Sequence, residues 1–159
     1  MAHLAHSTNT LGIAALLIAA MVAGSLGRKD WLAIAALLVA MALVIATGAH
    51  WMLHDTVRAM LMNNGDYAGH AGLQIAIMVA VLLAVGVAGV RITLSRHGAR
   101  RWAWLTVMAL IALFCVQAIS IHGIDGLLGR GIGPVMVVGW AWLAGAAVIT
   151  LAALHARLR

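Results

Sequence analysis

Few side chains in this sequence can take part in chemistry: eight histidines, four aspartates, one cysteine and no glutamate in 159 residues. Their spacing is uneven. His50 and His54 stand four residues apart, one helical turn, so on a helix both imidazoles share a face. His70 opens one apolar stretch, His122 closes another, and Asp125 follows three residues after His122. Neutral imidazole coordinates zinc, copper and iron, an i, i+4 pair can share one ion, and a carboxylate one turn away can orient a ligand. One expectation is therefore a divalent transition metal held by His50, His54, His70, His122 and Asp125. A second is a b-type haem or a chlorin with His50 and His122 as axial ligands. Each follows an alanine four residues earlier, Ala46 and Ala118, which leaves room for a flat macrocycle. A plainer expectation stands ahead of both: apolar segments end where polar residues begin, and these histidines then sit at a membrane–water interface without a ligand.

Other chemistry is thinner. No nucleophile, base and orienting group can be assembled, and no phosphate loop is present. Gly129, Gly131 and Gly133 alternate about Arg130, but the strand context of a dinucleotide fingerprint is missing. The lone Cys115 excludes an intramolecular disulfide and a metal-binding thiol pair. Nothing here argues for an enzyme, although metal-dependent chemistry near the outer leaflet stays open.

These residues must be positioned by an unusually apolar chain. It is 65% apolar and 9% charged, with a mean hydropathy of +1.07, whereas soluble domains are about half apolar and a quarter charged. A soluble globular enzyme, a disordered chain and a nucleic-acid-binding domain are excluded on that ground. Five apolar stretches can be read, roughly 11–26, 31–49, 71–90, 102–121 and 133–154. Each approaches or exceeds the length needed to cross a bilayer, and helix is the assignment because lipid offers strand edges no partner. The second stretch can run on toward Met62, since only Asn63-Asn64-Gly65 breaks the pattern. The predicted fold is an all-α polytopic transmembrane bundle, a single integral-membrane domain over 1–159.

Arginine and lysine set the expected orientation. Arg28, Lys29, Arg91, Arg96, Arg100, Arg101, Arg157 and Arg159 fall on one side of a five-span chain, with Arg58 and Arg130 opposite. The positive-inside rule then puts the N-terminus outside and the C-terminus in the cytoplasm of a bacterial-type inner membrane. The net charge of +6 reads as a topology signal and not as a polyanion site, with His97 and His155 as neighbours on the basic side. Ala23-Gly24-Ser25 resembles a signal-peptide cleavage site, but no Lys or Arg precedes it, so the first span is expected to be retained. Trp31, Trp51, Trp102 and Trp104 stand at span ends as interfacial anchors do, and Trp140 and Trp142 lie deeper, where they should pack between helices.

Small residues recur every four positions: Ala15, Ala19 and Ala23; Ala80, Ala84 and Ala88; Ala141 and Gly145. Such faces let helix backbones approach within lipid, either inside the bundle or against another protein. No charge lies mid-span, which argues against an ion-coupled transporter or a pump. The expected role is a non-catalytic accessory or assembly subunit of a larger membrane complex, with lipid and other membrane proteins as partners. The alternative is an outer-leaflet cofactor protein for electron transfer or metal handling. An absorbance spectrum and metal analysis of the purified protein separate the two: the cofactor expectation requires a Soret band, or stoichiometric metal, lost on His50→Ala or His122→Ala. A colourless, metal-free protein ends it.

Overall fold

The computed structural model describes residues 2–49, 52, 70–119 and 126–159. They form helices α1 (Ala2–Gly24), α2 (Lys29–Thr47), α3 (His70–Ser95) and α4 (Gly98–Ile119), a hairpin of β1 (Gly131–Ile132) and β2 (Val135–Met136), and α5 (Val137–Arg157). All five helices are long and apolar enough to cross a membrane. Among the described residues the number of such helices equals the number of expected spans, with shifted boundaries.

The largest shift is at the start. The sequence places the first span at 11–26, yet α1 begins at Ala2. Polar residues dilute the hydropathy of its first turns, but they do not break the helix because their hydroxyls are paired. Thr10 Oγ1 donates to the His6 carbonyl at 2.9 Å, and Thr8 Oγ1 donates to the Leu4 carbonyl at 2.6 Å. His3 and His6 are therefore exposed residues of a helix rather than of a loose terminus. The α2 helix ends at Thr47, where Gly48 adopts φ +65° and its N–H donates to the Ile45 carbonyl. Only glycine takes that left-handed conformation without cost, so the continuation toward Met62 is not part of α2, and 53–69 lie outside the described residues. The fifth span starts at Val137 and not at 133, because 131–136 form the hairpin. Gly133 takes φ +63° at the first central position of its two-residue turn, followed by Pro134, the placement at which such a turn favours glycine.

Packing follows small residues. The α1 helix lies between α2 and α5, α5 lies against α4, and α2 touches α4, closing a four-helix ring with α3 attached outside on α4. Because lipid is as apolar as leucine, contact between such helices depends on shape more than on the hydrophobic effect. Gly12 leaves the space that the Trp142 ring occupies. Trp142 is 1% exposed and stacks on Phe114 of α4 with ring centroids 5.7 Å apart, so one indole joins three helices. Gly139 faces Thr8, and Gly145 faces Leu110. Ala19 and Ala23 are fully buried between helices. Two of the three expected small faces thus serve the bundle itself.

The hairpin fastens α1 to α5. Met136 N–H donates to Thr8 Oγ1 at 2.9 Å, and Ser7 Oγ donates to the Pro134 carbonyl at 2.8 Å. Thr8, 1% exposed, therefore both donates and accepts, as a buried hydroxyl should. A Cβ at Gly139 would come within 2.5 Å of Val135 Cγ1 and 2.6 Å of Thr8 Cγ2, both on branched side chains with little freedom to move. Gly139→Ala should lower thermal stability in detergent by about 1–3 kcal/mol through overpacking. Gly86→Ala, where a Cβ meets nothing within 4 Å, should cost none. Equal effects of the two substitutions would refute this seam.

Candidate functional site

Two ends of the bundle bear on function. The first is where α2 ends, α3 begins and α4 ends. His50, His54, His122 and Asp125 lie outside the described residues, and of His70 only the backbone, as the first residue of α3, is described. Among the described residues no group of three or more His, Cys, Asp or Glu side chains could hold a metal ion. Cys115 is half-buried and free.

The opposite end is fully described and strongly basic. It collects the α1–α2 connection, the two-residue connection between α3 and α4, and the last turn of α5. Asp30, in the first turn of α2, lies between two guanidinium groups: Arg96 Nη1 stands 2.5 Å from Oδ1 and Arg100 Nη1 3.0 Å from Oδ2. One carboxylate thereby ties α2 to the start of α4 and suits the positive N-terminal end of its own helix. The Arg96 guanidinium also lies 4.7 Å from the Trp104 ring centroid, and that of Arg101 lies 5.6 Å from the Trp102 centroid, both within cation–π range.

The tryptophans divide differently from the sequence expectation. Trp102 is 56% exposed at the basic end, as an interfacial anchor would be, whereas Trp31 is fully buried in the core. It enters the bundle because α2 presents Trp31, Ile34, Leu38 and Ala42 on one inward stripe. Trp142 packs between helices as expected. Trp140 does not: it is exposed, and its Nε1–H donates to the Ile132 carbonyl of the hairpin at 3.0 Å.

Beside the Asp30 ion pairs a cleft of about 390 Å³ opens, lined by Arg28, His97, Arg100, His155 and Arg159, with Trp31 in its wall. No carboxylate side chain lines it. A second hollow of about 320 Å³ contains Asp30, Arg96 and Arg100. A groove of about 410 Å³ runs along α4 and α5 past Trp102, Val148, Leu151 and Ala152. It shares Gly98, Ala99, His155 and Arg159 with the basic cleft.

Sequence reasoning treated these cations as a marker of sidedness and missed their convergence. The signal was present: His97 immediately precedes α4 and His155 lies in the last turn of α5, so both stand at the basic-side end of an apolar stretch. Chemically the cleft can attract and hydrogen-bond an anion. Among the described residues it holds no nucleophile paired with a base. No family model matches the chain, nor does any curated protein or solved structure.

The Asp30 contacts involve side chains exposed by 29% to 51%, so solvent weakens each pair to at most about 1 kcal/mol. Asp30→Asn should lower stability by about 1 kcal/mol in thermal unfolding at low salt. The loss should shrink at high salt, and a salt-independent loss would show that the carboxylate acts through packing instead.

Proposed function

We propose that this chain is a non-catalytic, polytopic accessory or assembly subunit of a larger complex in a bacterial-type inner membrane, with its basic end in the cytoplasm. The α3 helix carries that reading. It packs principally on α4, where Gly89 faces Leu105, and its half-buried residues Met78, Val81, Val85, Ala88 and Ile92 are spaced alternately three and four residues apart. None of its residues from Met78 to Ser95 is buried.

The outward side of α3 is apolar, which lipid alone would explain. Its content of small residues is less easily explained by lipid. Ala76, Ala80, Ala84 and Gly86 are exposed, and a Cβ at Gly86 would meet open space. Lipid contact makes no demand for small side chains, whereas close approach of another helix does. The comparable faces of α1 and α5 are used inside the bundle; on α3, Ala88 is half-buried and Ala80 and Ala84 are left exposed for a partner. The orientation rests on the eight basic residues at one end against Arg58 and Arg130. The partner surface is accordingly the membrane-embedded side of α3, and the mode of binding is helix against helix.

Gentle solubilisation followed by native gel electrophoresis should find the chain in a complex larger than itself. Ala80→Phe or Ala84→Phe should release it as a folded monomer with unchanged thermal stability. A monomer of the wild-type chain in mild detergent and in native membrane particles would overturn the proposal.

A further inference from the structure

We propose that the basic end is a binding site for one anionic phospholipid, its headgroup phosphate in the cleft between α2, α4 and α5 and one acyl chain along the groove between α4 and α5. This assignment stands independently of the protein partner at α3.

Two observations converge on it. The first is charge. Arg28, Arg100 and Arg159 line one cleft together with His97 and His155, and no carboxylate side chain joins them. Asp30, which does not line the cleft, is engaged by Arg96 and Arg100, so the positive charge of the cleft rests on Arg28 and Arg159. Guanidinium groups suit phosphate because their planar donors can pair with two oxygens at once.

The second is shape. The basic cleft does not stand alone, because Gly98, Ala99, His155 and Arg159 also begin the α4–α5 groove. From that shared rim the groove continues over Trp102, Val148, Leu151 and Ala152, all apolar. A soluble anion would use the cleft and leave the groove empty. An anionic lipid fills both, with its polar part at the helix ends where headgroups lie and its chain beside the helices. The cleft volume of about 390 Å³ falls in the ordinary range for small-ligand sites, about 300–1,000 Å³.

The test uses the whole chain, delipidated in a zwitterionic detergent and titrated with phosphatidylglycerol, phosphatidylcholine or glycerol phosphate while mass and thermal stability are followed. Phosphatidylglycerol should bind at one molecule per chain and raise the unfolding temperature, and phosphatidylcholine should do neither. Equal binding by glycerol phosphate would assign the cleft to a soluble phosphate and overturn the lipid reading. Arg28→Gln with Arg159→Gln should weaken phosphatidylglycerol binding by about 30-fold, taking about fivefold for each cation near an anionic headgroup. Val148→Trp, which fills the groove, should weaken lipid binding while leaving the stability of the lipid-free protein unchanged. Arg91→Gln is the control, since Arg91 is exposed on α3 and does not line the cleft. A loss with Arg91→Gln as large as with the double variant would show diffuse attraction and defeat the proposed site.

Discussion

The seam between α1 and α5 is the contact on which the remaining architecture depends. Helices with apolar surfaces all round gain little by leaving lipid for one another, so a stable pairing needs close approach and many atoms in contact. Gly12 and Gly139 permit that approach from opposite sides, and Trp142 and Thr8 fill the space they leave. Trp142 then reaches Phe114 and brings α4 into the same contact. Ala19 and Ala23 are buried along the same helix, and Gly24 faces Ala35 of α2. The ring of four helices is thus built outward from a few positions where a side chain is missing.

That dependence explains what could be read from the sequence and what could not. Five helices were legible because long apolar runs have one solution in lipid. The start of α1 was not, since His3, His6, Ser7, Thr8, Asn9 and Thr10 look like a polar leader until Thr8 and Ser7 are seen bonded to the hairpin. The hairpin itself was hidden inside the apolar count of the fifth span. Trp31 was misplaced because a tryptophan next to Asp30 has the local pattern of an interfacial anchor, and only the α2 packing stripe turns it inward. The basic end was legible as charge and illegible as a cleft, because convergence depends on which helices are neighbours. The histidine set falls mostly on residues outside the described structure, and only the backbone start of α3 at His70 is described.

The two ends differ in how they are held. At one, the hairpin ties α1 to α5 through hydrogen bonds of hydroxyls and backbone, all neutral. At the other, Asp30 ties α2 to α4 through charge. The first kind of bond is insensitive to salt, and the second is readily screened. At the second end the guanidinium groups of Arg101 and Arg96 also lie over the Trp102 and Trp104 rings.

The place of α3 outside the ring has a geometric consequence. Asp30 meets Arg96 and Arg100 beside the starts of both α2 and α4, so those two neighbouring helices run in the same direction. A chain leaving α2 cannot begin a parallel neighbour without first returning to its starting side. The α3 helix is that return leg, the membrane counterpart of the crossover that joins two parallel strands. Its presence is required by chain direction, whatever it packs against. Because the ring closes without it, the inner bundle dictates only the seam toward α4, and the rest of the α3 surface is free to be shaped by its surroundings.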